Sequence, residues 1–362
     1  MQENSKLHGC DLVNLMHATF CHEDGFHLLR GDSVMSRRGL AILIVSACLL
    51  MSVAVRAQMP EKMFRIGLLL PVAEGPRGQR AEVLREGLRE GLRDLGWVEG
   101  KNIIIETRWA GPNPERQRGM AAGLKALPVA LMVAPGTITV RAALDGAPGV
   151  PVVMLNAGDP VGAGLVSSLA RPAGNVTGTS AAGEEVLGKQ LELLFAAVPH
   201  VKRVDVLMNT ANPANDFFFA VLASRARTLG LQLNRIDVRV EGELDAAVGG
   251  AKGGALVVVG DPMFFANRER ITASAIRYQV ASIYGSSDYV TAGGLMSYLS
   301  PDLWHWRSAA RFVDKILRGA TPGEIPVEQP TKFDLVINLK TARALGITIS
   351  PSLLQRADEL IK

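Results

Sequence analysis

The sequence predicts an α/β protein of two similar lobes, each built on a parallel sheet with helices on both faces. Three observations support this fold class. Short apolar runs rich in β-forming residues alternate with longer helical stretches from Phe64 onward. The alternation begins again at about residue 183, and a glycine-rich connection separates the two halves. The chain has 362 residues, 48% of them hydrophobic and 20% charged, which is enough for two hydrophobic cores.

The first half alternates strands with helices. The predicted strands are "FRIGLLL", "NIIIETRWA", "ALMVAPG" and "VPVVMLN". The predicted helices cover residues 78–95 and 114–126, and a third helix begins near Thr137. Gly96 ends the first helix, as expected for a glycine just beyond a helix C-terminus. Right-handed crossovers between successive strands make the sheet parallel.

The second half repeats this design. Its predicted strands are "RVDVLMN", "LQLNRIDV", "GALVVVGD" and "ASIYGSSDY", and its helices cover residues 183–197, 213–229, 241–250 and 264–279. "GGLMSYLS" then precedes a helix from Pro301 to about Leu317. A last strand, "KFDLVIN", is followed by a final pair of helical segments. The pattern predicts a second βα domain of similar size.

The connection "DPVGAGLVSSLARPAGNVTGTS", residues 159–180, is interpreted as a hinge between the two domains. Its glycines supply backbone freedom. Ligands of open parallel α/β sheets bind beyond the carboxyl ends of the strands. Two such sheets that face each other predict a ligand-binding cleft beside the hinge.

The N-terminal region predicts export. Residues 35–57, "MSRRGLAILIVSACLLMSVAVRA", have the basic start, apolar centre and small-residue end of a signal peptide. We interpret residues 1–34 as a mis-called extension and expect a periplasmic protein. An uncleaved anchor and a lipid anchor at Cys48 are the less favoured alternatives. Cleavage after Ala57 would remove every cysteine of the chain, so neither disulfide nor thiol chemistry is expected.

Composition and motifs argue against an enzyme and against a nucleic-acid-binding protein. The net charge of +4 comes without any basic run. "GTSAAG" resembles a nucleophile elbow around Ser180, but Ala182 replaces the last glycine and the stretch is interpreted as loop. His200 and His305, the histidines left after cleavage, are both interpreted as surface residues. We find no phosphate-binding loop and expect no cofactor and no metal site.

Polar residues at the carboxyl ends of predicted strands are the candidates for a binding site. Thr137 lies at the start of a helix, where backbone N–H groups attract a carboxylate or phosphate. Each candidate has an alternative role as a helix cap or turn residue. The set comprises Thr137, Asn156, Asp159, Asn209, Asn212, Asp261, Tyr284, Ser286 and Asp288.

Three stretches resemble a known family. "DPVGAGLVSSLARPAGNVTGTS", "GGLMSYLS" and "ATPGEIPVEQPTKFDLVINLKTARALGITISPSLLQRADELI" are similar to landmarks of bacterial ABC-transporter substrate-binding proteins. The best-known members bind tryptophan or tyrosine, and the likeness runs from about Phe64 to the C-terminus. It implies a type I periplasmic binding protein, in which two Rossmann-like lobes are joined by a hinge of three crossovers. Lobe one would comprise residues 62–178 plus 297–325, and lobe two residues 182–293 plus 331–362.

The resemblance also implies roles for the candidates. Lobe one would hold the carboxylate of a small ligand, such as an aromatic or branched amino acid, through Thr137, Asn156 and Asp159. Asn212, Asp261 and Asp288 would face it from lobe two, and Phe264, Tyr284 and Tyr289 are candidates for stacking on an aromatic ligand. Arg77 and Arg80 would either favour a more acidic ligand or face solvent.

The implied partners are a small-molecule ligand and an ABC permease, and the protein is expected to be a monomer. Two rival functions stay open from the sequence. One is a ligand-sensing receptor domain with the same bilobed fold, and the other is a hydrolase that uses Ser180.

Overall fold

The computed structural model describes residues 63–75 and 79–362. The predicted extension, the signal peptide, Cys48 and Arg77 lie outside the described residues. Residues Glu61–Lys362 form one compact unit. No helix among the described residues is long and apolar enough to cross a membrane.

Strands and helices alternate along most of this unit. The strands are β1 Phe64–Leu70, β2 Ile103–Trp109, β3 Leu131–Pro135, β4 Val152–Ala157, β5 Val176–Ser180, β6 Arg203–Asn209, β7 Gln232–Val238, β8 Ala255–Val258, β9 Ala281–Tyr284, β10 Met296–Leu299, β11 Asp334–Asn338 and β12 Glu359–Ile361. The helices are α1 Gln79–Asp94, α2 Pro114–Ala126, α3 Thr137–Gly146, α4 Gly183–Ala197, α5 Asn215–Leu229, α6 Leu244–Gly250, α7 Pro262–Ala266, α8 Arg268–Arg277, α9 Ser287–Thr291, α10 Asp302–Leu317, α11 Leu339–Ala344 and α12 Pro351–Leu354.

The first sheet has five parallel strands in the order β2-β1-β3-β4-β5. Both of its faces are covered, because Ile66 and Leu68 of β1 belong to one apolar cluster and Leu69 belongs to another. This arrangement explains why β1 is apolar and buried from Ile66 to Leu70. On one face, α10 packs closely on α1 at Gly91, where a Cβ atom would lie 2.9 Å from that of Ala310. We call this sheet with α1–α3 and α10 lobe one.

The second sheet has seven strands in the order β12-β11-β10-β9-β8-β6-β7. All neighbouring pairs are parallel except β10 with β11. A single apolar cluster extends over this sheet and α4–α8. We call this sheet with α4–α9, α11 and α12 lobe two. The predicted fold class, α/β with two parallel-dominated sheets, is confirmed.

Two details of the predicted division require correction. Residues 176–180 form the edge strand β5 of lobe one, whereas the sequence interpretation made the whole stretch 159–180 a hinge loop. Strand β10 pairs with β9, so residues 297–299 belong to lobe two and not to lobe one. The chain therefore enters lobe two after Ser180, returns to lobe one after Leu299 and leaves it again before Asp334.

Several local elements also differ from the prediction. The helix predicted at residues 264–279 is divided into α7 and α8, with Asn267 between them at φ −110°. The strand predicted as "ASIYGSSDY" ends at Tyr284, because Ser286 caps α9 by accepting from the N–H of Asp288. Strand β12 was not predicted from the sequence.

Candidate ligand-binding cleft

A cavity of about 250 Å³ lies between the two lobes. It is lined by the residues that end or follow parallel strands of both sheets, as expected for open α/β sheets. Leu70, Pro135 and Leu155 contribute from lobe one, and Val259 and Leu299 contribute from lobe two. Most of the lining side chains are apolar, so the cavity suits a ligand with a substantial apolar part.

The lobes touch on both sides of this cavity. A Cβ atom added to Gly158 of lobe one would lie 2.7 Å from Cε1 of Phe218 in α5. A Cβ atom added to Gly183 at the start of α4 would lie 2.6 Å from the backbone oxygen of Gly158. At the mouth of the cavity, Nε of Arg80 in α1 lies 3.4 Å from Oδ2 of Asp288 in α9. The two lobes are thus in contact beside the cavity and at its mouth.

The N-terminus of α3 borders the cavity on the lobe-one side. Gly136 precedes this ten-residue helix with φ 76°, and no side chain caps it. The first N–H groups of a helix have no partners within the helix and attract negative charge. The hydroxyl of Thr137, the first helical residue, accepts from the N–H of Gly158 at 3.0 Å. This wall therefore offers backbone donors to an anionic group, as predicted for Thr137.

Asn156 contributes an acceptor from the end of β4. Its backbone is left-handed, with φ 52°, which is an uncommon and mildly strained conformation for a residue other than glycine. Its N–H donates to Oγ1 of Thr179 at 3.2 Å. Its Oδ1 is buried and has no hydrogen-bond partner among the residues that the structure describes. A buried acceptor at a cavity wall is stabilised when a ligand supplies the missing donor.

On the lobe-two wall, Asp261 is saturated by its own surroundings. The carboxylate caps α7 by accepting from the N–H of Met263 at 2.8 Å. It also accepts from Nδ2 of Asn209 at 3.0 Å and from Nδ2 of Asn212 at 3.4 Å. Burial raises the pKa of this carboxyl above its usual value. Asp261 and Asn212 line the cavity as predicted, but their polar groups bond mainly to each other and to the chain.

The aromatic candidates occupy different positions. Tyr289 lines the cavity, and its ring stacks on that of Tyr284 with centroids 4.6 Å apart. Tyr284 is fully buried, and its hydroxyl is 2.7 Å from Oγ of Ser282. Phe264 is fully buried in the same core. The expectation that Phe264 and Tyr284 stack on a ligand is therefore not supported, because both rings are covered by lobe two itself.

Two further candidates lie off the cavity wall. Oδ1 of Asp159 accepts from the N–H of Gly162 at 2.8 Å, which is the turn role given above as its alternative. Asp288 lies at the rim, where it pairs with Arg80 and its Oδ2 accepts from the hydroxyl of Ser286 at 3.2 Å. Neither aspartate lines the central cavity.

Sequence reasoning missed Gln190, a buried polar residue on the cavity wall. It lies on α4 in the apolar stretch "LGKQLELL" and is 2% exposed. Its Nε2 donates to the backbone oxygen of Tyr298 at 2.7 Å. Its Oε1 is buried, and no described residue donates to it. The signal in the sequence was a glutamine on the buried face of an amphipathic helix.

Arg80 and Asp302 form the mouth of the cavity together with Asp288. Nη2 of Arg80 lies 3.9 Å from Oδ2 of Asp302, in addition to the contact with Asp288. Burial raises the pKa of Asp302 to about 6, against the opposing effect of Arg80. The guanidinium group is thus shared between two carboxyl groups and carries no excess positive charge at the mouth.

The surface interpretation of His305 is wrong. The residue is 1% exposed, and both ring nitrogens are hydrogen-bonded, Nε2 to the hydroxyl of Ser300 at 2.7 Å and Nδ1 to that of Thr179 at 2.8 Å. Burial lowers the pKa of His305 to about 4. Ser180 ends strand β5, and its buried Oγ has no hydrogen-bond partner among the described residues. The two residues therefore do not form a nucleophile–base pair.

A family described as ABC transporter substrate binding protein has a model that matches residues 76–361. A relative from Clostridioides difficile strain R20291, named Tyrosine-binding protein, is 26% identical over 265 residues, which cover 73% of this chain and 76% of the relative.

Solved structures with the same fold include a conserved domain protein of Vibrio cholerae O1 biovar El Tor. Its TM-score is 0.75 and its identity 25%, with 83% of this chain and 99% of that chain covered. An ABC domain from Streptococcus pneumoniae, solved in complex with L-Trp, also has a TM-score of 0.75. It is 24% identical and covers 83% of this chain and 100% of its own.

Proposed function

This chain belongs to the family of ABC transporter substrate binding proteins, and we propose that its ligand is an aromatic amino acid destined for import. The fold is that of a type I periplasmic binding protein, as the resemblance implied. The observation that carries the proposal is the distribution of unpaired polar groups in the cavity. Donors and acceptors occur together on lobe one, and apolar and aromatic side chains make up most of the remainder.

The carboxylate of the ligand would bind at the N-terminus of α3. There, the uncapped N–H groups at Thr137 and Ile138 border the cavity. They add hydrogen bonds to the positive end of the helix dipole, a combination that commonly binds anions. Gly136 favours this approach because it has no side chain between the helix start and the cavity.

The ammonium group of the ligand would bind to the two free amide oxygens. Oδ1 of Asn156 and Oε1 of Gln190 are buried acceptors without donors among the described residues, and both side chains line the cavity. An amino acid supplies an ammonium donor, whereas a simple carboxylic acid leaves these oxygens unpaired at a cost of about 1–3 kcal/mol each. This difference favours an amino acid over other small acids.

The side chain of the ligand would pack against aromatic rings. Tyr289, Phe265, Phe218 and Trp306 all line the cavity. Aromatic pairs add about 0.5–1.5 kcal/mol to the burial of apolar area, so they favour an aromatic over a branched side chain. The relative named for tyrosine and the structure solved with L-Trp support the same preference.

An acidic side chain is disfavoured, although the arginines had suggested one. Arg80 is already engaged by Asp288 and Asp302, so a second carboxylate of the ligand would meet these two acidic groups. Like charges at short range in a partly buried site are destabilising.

Binding would close the lobes, and the closed form would deliver the ligand to an ABC permease. Contacts on both lobes stabilise the closed state only when the ligand is present, which is how a ligand shifts a two-state equilibrium. We place the protein in the periplasm, as a monomer without enzymatic activity or cofactor. The family of the chain and the signal-like residues 35–57 support the periplasmic location.

The proposal is tested by thermal melts and calorimetry of the full chain with L-tryptophan, L-tyrosine, L-leucine and L-glutamate. Tryptamine and indole-3-propionate serve as matched probes that lack the carboxylate or the ammonium group. We expect stabilisation of about 2.7 kcal/mol when an aromatic amino acid is present at about 100 times its Kd, and a shift of a few degrees in Tm. Equal binding of tryptamine and L-tryptophan, or binding of L-glutamate alone, would contradict the proposed site.

A further inference from the structure

A buried hydrogen-bond network connects the crossovers between the lobes. His305, on α10 of lobe one, is bonded to Ser300, which follows β10 at the second crossover. Its other ring nitrogen is bonded to Thr179, next to the first crossover. The third crossover joins the network through the backbone, because the N–H of Ser180 donates to the oxygen of Glu328 at 3.0 Å and the N–H of Glu328 donates to that of Gly178 at 2.9 Å.

The surroundings of the two hydroxyl groups decide the tautomer of His305. Oγ1 of Thr179 accepts from the N–H of Asn156 and is fully buried, so its own hydrogen needs an acceptor within the protein. Nδ1 of His305 is the acceptor at hydrogen-bond distance. Ser300 borders a polar surface groove, where its hydrogen can reach water. These surroundings favour a neutral imidazole with its proton on Nε2, which then donates to Ser300.

The same network reaches the ligand cavity. The N–H of Asn156 donates to Thr179, and this bond restrains the left-handed backbone that directs the Asn156 side chain. A continuous series of hydrogen bonds thus runs from Ser300 through His305 and Thr179 to Asn156. It joins two crossovers to a residue with an unpaired acceptor at the cavity.

We propose that His305 is a positioning residue that holds the first two crossovers together and orients Asn156 for the ligand. The role of Asn156 in ligand binding rests on the proposed function. The hydrogen bonds of His305 can be measured without a ligand. A neutral ring fits this role, since Nδ1 must remain an acceptor for Thr179.

The charged groups around the ring come from several elements. Asp302 lies one turn earlier on α10, and Arg80 of α1 and Asp288 of α9 lie beside it. Glu328 of the third crossover is paired with Arg311 of α10. Burial is what lowers the pKa of His305, so the ring is expected to stay neutral above about pH 4.

The first test is nitrogen NMR of the imidazole rings in the ligand-free full chain. We expect His305 to show the Nε2–H tautomer from pH 7.5 down to about pH 5, and His305→Asn to assign its signals. His200, which is exposed, is the control ring. An Nδ1–H tautomer, or a ring that is cationic at pH 6, would overturn the proposal.

The second test is amide hydrogen exchange of ligand-free variants. Ser300→Ala and His305→Leu should each accelerate exchange of the Asn156 N–H about twofold to tenfold, the effect of losing one neutral hydrogen bond. In the His305→Asn variant the Asn156 N–H should exchange as slowly as in the native chain, because the new amide oxygen occupies the place of Nδ1. The matched control is Ser308→Ala, a buried serine on the same helix. Unchanged exchange in His305→Leu would contradict the proposed coupling.

Affinity for L-tryptophan then relates the network to binding. Ser300→Ala should weaken binding about twofold to tenfold, and Ser308→Ala should leave it unchanged. If the native chain does not bind L-tryptophan or L-tyrosine, the proposed function fails while the tautomer and exchange results still decide the role of His305. If binding occurs and Ser300→Ala leaves it unchanged, the proposed link from the hinge to the ligand is wrong.

Discussion

The two walls of the cleft differ in whether their polar groups have hydrogen-bond partners within the protein. On lobe one, Asn156 keeps a buried oxygen unpaired and the start of α3 has no side-chain cap. On lobe two, Asp261 receives hydrogen bonds from Asn209, Asn212 and the N–H of Met263. Polar residues at the ends of strands in the two lobes therefore differ in whether their hydrogen-bonding groups are already paired within the protein. In the proposed function, lobe one keeps free groups for the ligand, whereas the carboxylate of Asp261 on lobe two bonds within its own wall.

Gln190 is the exception on lobe two. Its Nε2 donates to the backbone oxygen of Tyr298, and its buried Oε1 has no donor among the described residues. We propose that this acceptor favours closure, since a ligand held by lobe one can pair with it when the lobes meet. The predictions that follow test whether the walls differ as described, in order of decreasing effect.

Asp261→Ala should have the largest effect, and it should act on stability. The change removes the cap of α7, leaves Nδ2 of Asn209 without its acceptor and leaves Nδ2 of Asn212 with only the backbone oxygen of Gly260 at 3.3 Å. We expect the free energy of unfolding to fall by about 3 kcal/mol. Chemical denaturation measures it, and a loss of ligand affinity without a loss of stability would show that Asp261 is a ligand contact instead.

Acidification should change the contributions of His305 and Asp302 to the free energy of unfolding in opposite directions. The folded-state pKa of His305, about 4, lies below its ordinary 6.5, so its contribution to stability is lost as the pH falls from about 6.5 to 4. The folded-state pKa of Asp302, about 6, lies above its ordinary 3.8, so its contribution is lost as the pH rises from about 3.8 to 6. Each contribution is roughly 3 kcal/mol at most.

The stability changes due to His305 and Asp302 largely cancel in the native protein. Variants that remove one of the two groups should reveal the other. Compared with the native chain between pH 6.5 and 4, Asp302→Asn should lose more stability on acidification and His305→Asn should lose less. Denaturation midpoints across this range provide the measurement, with His200→Asn as the exposed control. Parallel curves for all four proteins would rule out both shifts.

Gly158→Ala should prevent full closure. Its Cβ atom would overlap the ring of Phe218 across the cleft, and the position has no positive φ that would exclude alanine. Overpacking of about 2 kcal/mol would weaken ligand binding roughly thirtyfold while each lobe remains folded. Gly188→Ala is the control, because nothing lies within 4 Å of its added Cβ. Native affinity in Gly158→Ala would mean that ligand binding does not need this contact between the lobes.

Asn156→Gly should weaken ligand binding about tenfold with little change in Tm. Glycine accepts the left-handed backbone, so the variant removes the side-chain acceptor without adding strain. Losing a hydrogen bond to a charged group corresponds to about this factor. Asn156→Ala should bind as weakly and be less stable as well. Isothermal titration separates these outcomes, and unaltered binding in both variants would remove Asn156 from the site.

Asp288→Asn should have the smallest effect, at the rim. The contact between Arg80 and Asp288 is partly exposed, and such ion pairs contribute about 0.5 kcal/mol, or about twofold in affinity. The effect should disappear in high salt because exposed charges are screened. A loss of tenfold or more that persists in salt would indicate that Asp288 contacts the ligand directly.

Much of the fold was predictable from local patterns. The limits of α2, α4 and β6 coincide with the prediction because their apolar periods and terminal residues are clear. Thr137, Asn156, Asn212 and Asp261 were predicted at the cleft because the carboxyl ends of parallel strands converge there. The five-residue strand β5 was missed, since "VTGTS" has little apolar character and is held by pairing with β4.

The choice among aromatic residues was not predictable in the same way. Tyr284 ends β9 and is fully buried, whereas Tyr289 lies five residues later on α9 and lines the cavity. His305 was equally hidden, because one of its partners, Thr179, is 126 residues away in the chain. A pattern of neighbouring residues in the sequence does not predict a contact between residues so far apart.

By itself, the sequence determined the alternation of strands and helices, the doubling of the βα design and the presence of polar residues at the strand ends. These features follow from hydrophobic period and from residue preferences within a few positions of each other. The tertiary structure alone decided which polar groups remain unpaired and which crossovers are joined by His305. A hydrogen bond needs its two atoms within about 3 Å, and residues far apart in the chain reach that distance only after both sheets and all three crossovers have formed.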